Sequence, residues 1–251
     1  MNMKNNLPKI AIVGYGSMGK EIEKSALAKG FQISNIFEID KQIDANQNYD
    51  FDVAIDFSFP DSVLENVRSL SKLKKNIVLA TTGWKKHEET IKRIVSDNDI
   101  GLVYGSNFSV GMNILFGIVE NASQMLNNHP DYDISINEIH HTRKKDSPSG
   151  TALSLADIIL KQLHRKNKIL DDTSRGTIPG DALHVTSARV GDITGTHTVY
   201  IDSIADTIEL THRAKNRSGF AQGALLAAEW IYGKKGYFDF RDVLNNIWKK
   251  D

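Results

Sequence analysis

Residues 9–13, Lys-Ile-Ala-Ile-Val, run directly into Gly14-Tyr15-Gly16-Ser17-Met18-Gly19. A short apolar strand that ends in glycine and opens at once into a helical pattern leaves few folds available. The spacing Gly-x-Gly-x-x-Gly has a physical reading in that context. Gly14 permits a tight turn, Gly16 lets a pyrophosphate approach the backbone, and Gly19 lets the helix pack on the sheet. An anion would then sit on the helix N-terminus, where backbone N–H groups have no intrahelical partner. Glu38 ends the next predicted strand about 20 residues further on, where an acid can bond the adenosine ribose. The segment therefore predicts a dinucleotide site formed by residues 14–19 and Glu38.

Hydrophobic patterning extends this into an α/β architecture. Residues 18–29 fit a helix, with Ile22, Ala26 and Leu27 on one side and Gly30 as the stop. Strands are expected at 31–37, 51–57, 76–80 and 100–104, with helices from Pro60-Asp61 to about 73 and at 88–95. Strands alternating with helices imply a parallel sheet. Thr81-Thr82-Gly83 and Gly105-Ser106-Asn107-Phe108 follow two of these strands. Ligands bind outside the carboxyl ends of parallel strands, so both segments join the candidate cofactor site.

The second half changes character. Helices are expected at 112–126 and 149–163, strands at 132–140, 184–190, 196–203 and 206–212, and a long polar loop at 164–182. A helix at 218–232 and a short one at 239–248 close the chain. The second half thus predicts an antiparallel or mixed sheet with one or two helices.

The charges set limits on function. Lys+Arg and Asp+Glu are both 31, which argues against a dedicated nucleic-acid binder. The chain has no cysteine, so disulfides, thiolate nucleophiles and cysteine-ligated metals are excluded. No apolar run is long enough to span a membrane. The N-terminal residues lack a leader's apolar stretch, and a cytoplasmic location is the expectation.

The densest chemistry is Glu138-Ile-His140-His141-Thr-Arg143-Lys144-Lys145-Asp-Ser-Pro-Ser149-Gly150-Thr151-Ala152. Imidazoles move protons near neutral pH, cations attract an anion, and a helix start offers free N–H groups. Taken singly, each of these residues has an ordinary structural reading. Their convergence within one segment points to a site that protonates and holds a small acid.

The run resembles the signature of the dihydrodipicolinate reductase (4-hydroxy-tetrahydrodipicolinate reductase) family. The resemblance covers nearly the whole chain, including Ala80-Thr-Thr-Gly83, Asn107-Phe-Ser-Val-Gly111 and Arg189-x-Gly-Asp-x-x-Gly-x-His197. It implies a Rossmann-type parallel-sheet domain (1–110 with 219–251) plus a smaller α+β substrate and tetramerisation domain with a mixed sheet (111–218). It implies reduction of 4-hydroxy-tetrahydrodipicolinate, a cyclic imine dicarboxylate, on the diaminopimelate route to lysine, by a homotetramer. His140 matches the proton donor/acceptor and Lys144 the second donor. His141, Ser149, Gly150 and Thr151 match substrate contacts, and no metal is implied. Gly14, Tyr15, Gly16, Ser17, Met18, Gly19, Glu38, Thr81, Thr82, Gly83, Gly105, Ser106, Asn107 and Phe108 match the cofactor site.

Three features depart from the family pattern: a compact glycine loop, a short stretch after Glu38, and Ile39 where members using NADPH often carry a base. No basic residue occurs before Lys41. A 2′-phosphate would meet the Glu38 charge with little compensation, so NADH is the expected preference, with NADPH possible through Lys41. A different reductase on this fold would need no such histidine–lysine run, and an NAD(H) sensor would need an output surface.

Overall fold

All four residues of β1 (Ile10–Val13) are buried, and so are all four of β3 (Val53–Asp56). Strands buried on both faces belong inside a parallel sheet with helices on either side. The computed structural model describes residues 7–172 and 174–249. It sets β1 between β3 and β2 (Ile33–Phe37), all parallel. Beyond β3 lie β4 (Asn76–Leu79) and β5 (Gly101–Tyr104), again parallel. The crossovers are α1 (Ser17–Ala28), α2 (Val63–Lys72) and α3 (Glu88–Asn98). The chain leaves β1 to one side for β2 and returns on the other side for β3. The carboxyl edge between β1 and β3 is therefore a topological switch point.

Gly111–Asn216 forms a compact unit of its own. It contains most of α4 (Val110–Met125), β6 (Asp133–His140) and α5 (Gly150–Gln162), then β7 (Lys168–Leu170), β8 (Ala182–Arg189), β9 (Thr196–Asp202) and β10 (Thr207–Arg213). The sheet runs β10-β9-β6-β8-β7. β6 is parallel to β8 and antiparallel to β9, so the sheet is mixed. Ile134, Ile136, Val185 and Val199 face Phe116, Val119, Leu155 and Ile159 of α4 and α5 in one apolar cluster.

Arg217 onward belongs with the first unit. α6 (Ser218–Ile231) buries Ala221, Ala224, Leu225, Ala228 and Ile231 in the same cluster as Ile10, Ile12 and Ile55. β11 (Gly236–Asp239) then adds to β5 in parallel, giving six strands, and α7 (Phe240–Trp248) follows. The architecture is a Rossmann-like parallel sheet plus a mixed-sheet unit.

Two strands depart from the sequence expectation. Residues 164–182 were expected to be a loop, yet they contain β7, three residues long at a sheet edge. β11 is half-buried throughout and too short to show a period. Thr173, within that expected loop, lies outside the described residues. Among the described residues no helix is long and apolar enough to cross a membrane.

Candidate active site

Side chains of a strand alternate between faces, so Ile134, Ile136, Glu138 and His140 of β6 share the inward face. The first two are apolar. The last two place a carboxylate and an imidazole in a buried position. An unpaired buried carboxylate would be strongly destabilising, which makes its partners the question.

Sheet register supplies several of them. Ser187 of β8 and His197 of β9 stand opposite Glu138 on either side, and Arg189 stands opposite His140. Glu138 Oε1 accepts from Ser187 Oγ at 2.8 Å, from Arg189 at 2.9 Å and from the Ser149 backbone N–H at 3.0 Å. Glu138 Oε2 lies 2.6 Å from His140 Nδ1. Burial alone would raise the carboxyl pKa. The hydrogen bonds from His140, Ser149, Ser187 and Arg189 outweigh it and hold the group well below the usual carboxylate range. Each charge-assisted bond of this kind contributes about 1.5–3 kcal/mol, enough together to exceed the desolvation penalty.

The other end of His140 faces Gly195: a Cβ there would stand 2.9 Å from His140 Nε2, so any larger residue would press on the ring. His197 packs edge-on against His140 at 5.1 Å, and its Nε2 lies 3.2 Å from Ser149 Oγ. Burial pushes the His197 pKa down to about 3, with the charges of His140, His212 and Lys144 acting in the same direction. Glu138, His140 and His197 would offer a metal three ligand atoms within 4.8 Å. Of these atoms, His197 Nε2 is within hydrogen-bond distance of Ser149 Oγ.

Ser149 also caps α5, its Oγ accepting from the Ala152 N–H at 3.2 Å. The strand carrying Glu138 and His140 is thereby joined to the start of the helix that presents Gly150 and Thr151. In the connecting loop, Lys144 Nζ pairs with Asp146 at 2.9 Å, and the Asp146 carbonyl accepts from Arg189 at 2.6 Å. Lys144 and the Gly150 N–H draw the Asp146 carboxyl below its ordinary range against the effect of burial. A carboxylate thus already sits between the lysine and the helix start.

The parallel-sheet unit holds the remaining expected residues at one carboxyl edge. Gly14 has a φ of +87°, and a Cβ there would stand 2.5 Å from the Phe57 carbonyl oxygen. A Cβ on Gly19 would collide with the Gly14 carbonyl oxygen at 2.3 Å. Gly16 faces open space and begins α1 with no side-chain cap and no acid in its first turn. The free N–H groups at that helix start fit a pyrophosphate. Glu38 follows β2, exposed, with its backbone paired to Lys41. Tyr15 hydroxyl donates to Glu23, and Lys20 lies over its ring. Thr81 is buried, while Thr82 and Gly83 are exposed. Phe108 is buried: its ring packs tilted against Phe240 at 4.6 Å, and its carbonyl lies under α6 at Gly223.

Both halves of the chain match one family of proteins. Residues 8–108 match the model of the dihydrodipicolinate reductase N-terminus, and residues 111–244 match that of its C-terminus. The chain belongs to the dihydrodipicolinate reductase family. Family members are NAD(P)H-dependent oxidoreductases of lysine and diaminopimelate biosynthesis. The 4-hydroxy-tetrahydrodipicolinate reductase of Christiangramia forsetii is 40% identical over 243 residues, covering 96% of this chain and 99% of that one. The enzyme of that name from Buchnera aphidicola subsp. Acyrthosiphon pisum is 40% identical over 78% of this chain and 74% of its own. In fold, the chain is similar to a dipicolinate-bound dihydrodipicolinate reductase from Paenisporosarcina sp. TG-14, with a TM-score of 0.72 at 19% identity over 94% of this chain and 99% of that one.

Glu138, Ser187, Arg189 and His197 received no role from sequence reasoning. A signal for Glu138 existed, since it lies two residues before His140 and shares its face. Arg189 and His197 lie about fifty residues away and meet it only through sheet register.

Proposed function

We propose that the protein reduces 4-hydroxy-tetrahydrodipicolinate to tetrahydrodipicolinate. The net change consumes one hydride and one proton and releases water from C4. When bound, the reduced nicotinamide supplies the hydride to C4 of the ring. Everything else in the reaction falls to the chain's own residues.

The reading rests chiefly on the buried Glu138–His140 pair. With Nδ1 at 2.6 Å from a carboxylate that stays ionised, the His140 ring is turned so that Nε2 is the nitrogen left for the substrate. Nε2 then exchanges protons with the substrate on the side facing Gly195. Charge builds along the conjugated C=C–C=N system as C4 is reduced, and His140 and Lys144 are the groups that deliver the proton. The N–H groups of Gly150 and Thr151, the Ser149 hydroxyl and His141 hold a substrate carboxylate, which takes the position beside Lys144 now filled by Asp146. Residues 14–19, Glu38, 81–83 and 105–108 hold the dinucleotide, the Phe108 ring serving as packing behind it. An exposed acid at 38 with Ile39 beside it favours NADH over NADPH. The enzyme acts in the cytoplasm as a homotetramer, as the resemblance implies.

His140→Gln tests this reading. It removes the exchangeable proton while keeping a polar group of similar reach. It is expected to lower kcat by about 10²–10⁴-fold with the KM for NADH little changed. Wild-type turnover in that variant would remove His140 from the chemistry.

A further inference from the structure

Asp56 ends β3, is fully buried, and takes no part in the chemistry above. Its Oδ1 accepts from the Ser58 N–H at 2.8 Å, the Ser58 hydroxyl at 2.6 Å and the Thr81 hydroxyl at 2.8 Å. Its Oδ2 accepts from Asn66 Nδ2 at 3.0 Å. Its backbone carbonyl also takes the N–H groups of Ala80 and Thr81 at 2.9 and 3.0 Å. Burial pushes the carboxyl pKa up, and the four hydrogen bonds it accepts, three from side chains and one from the Ser58 backbone, work against that rise. If this position only filled space, an apolar side chain would avoid the desolvation penalty.

These contacts join the turns after β3 and β4 and the first turn of α2 along one edge of the sheet. Ser58 opens the turn after β3, and Thr81 opens the turn after β4. The first of these turns is also the wall of the glycine loop: the Phe57 N–H donates to the Val13 carbonyl at 2.9 Å, and Phe57 and Ser58 occupy the space where Gly14 would carry a Cβ. Asn66 donates to Ser58 Oγ as well, and Ser62 does the same, which ties in the start of α2. Trp84 Nε1 donates to the Thr81 carbonyl and fixes the far side of the second turn. One carboxylate therefore registers the turns on both sides of the β3 end, next to the switch point between β1 and β3.

We propose that Asp56 is a positioning residue for the dinucleotide, setting the spacing between the Thr81–Gly83 segment and the glycine loop before the ligand arrives. It acts through Ser58 and Thr81, since its own oxygens face the interior. The inference rests on the reading of this edge as the nucleotide site.

Asp56→Asn tests it in the full-length protein. Asparagine keeps the shape and one acceptor oxygen, but it sets an NH2 group against Asn66 Nδ2. The dissociation constant for NADH, read by fluorescence, is expected to rise about tenfold, the loss of roughly one charge-assisted hydrogen bond's worth of preorganisation. The kcat at saturating NADH and the KM for the imine substrate are expected to stay near wild type. A lowered Tm with unchanged NADH affinity would mean that Asp56 is only a structural tie, and would overturn the proposal. If Asp56→Asn fails to fold, Ser58→Ala takes its place with a smaller rise expected, and unchanged affinity there overturns the proposal equally. Wild-type protein that binds neither NADH nor NADPH would instead reject the nucleotide reading beneath it.

Discussion

At the scale of single residues, one buried carboxylate organises the candidate site. Glu138 stands beside the Nδ1 end of His140 and accepts from the backbone at the start of α5 and from two side chains of β8, Ser187 and Arg189. This arrangement carries a pH signature. The His197 pKa is lowered by burial to about 3 from an ordinary 6.5. Above 6.5 the ring is neutral in both folded and unfolded chains. Below it the unfolded chain takes up a proton that the folded chain refuses, so stability falls from about 6.5 down towards 3. Glu138 is also held below its ordinary 4.5, which adds a second loss as pH drops beneath that value. His212, lowered by burial, acts in the same sense as His197. Tm is therefore expected to fall between pH 7 and pH 4, and His197→Gln to flatten the part of the curve above the Glu138 range. An unchanged slope in that variant would show that His197 protonates freely in the folded state.

At the scale of elements, α5 serves two purposes through one residue. Ser149 caps the helix with its hydroxyl and gives its N–H to Glu138. Ser149→Ala is expected to destabilise the protein by about 1 kcal/mol from the lost cap and to raise the KM for substrate. A stability change with no change in KM would separate the cap from the site. Much of the element order was legible in the sequence. β1 is apolar throughout and β3 is apolar up to its last residue, Asp56, β6 alternates, and α1, α5 and α6 show clear apolar stripes. β7 and β11 were not legible, being three and four residues long and taking their stability from a single neighbouring strand. The same distinction holds in the site. His140, Lys144 and Ser149 lie in one local run, whereas Arg189 and His197 reach it only once the five-stranded sheet has set its register. The packing of Phe108 against Phe240 and α6 is likewise non-local and was not legible in the sequence.

At the scale of the molecule, the chain devotes one compact unit to a parallel sheet with an uncapped helix start, and another to a mixed sheet with an acid–base centre. A reductase of a small dicarboxylate needs both functions, and the family match spans both units. The balanced charge of the whole chain supplies no broad field for attracting an anion. On the proposed function, attraction of the substrate falls to local groups, namely Lys144 and the start of α5. The most direct test mixes the purified protein with enzymatically generated 4-hydroxy-tetrahydrodipicolinate and follows the absorbance of NADH, then of NADPH. Rapid oxidation with both reductants, faster with NADH, is the predicted result. Faster oxidation of NADPH would contradict the reading of Glu38 and Ile39 alone. No oxidation of either, from protein shown to bind the nucleotide, would contradict the proposed reaction itself.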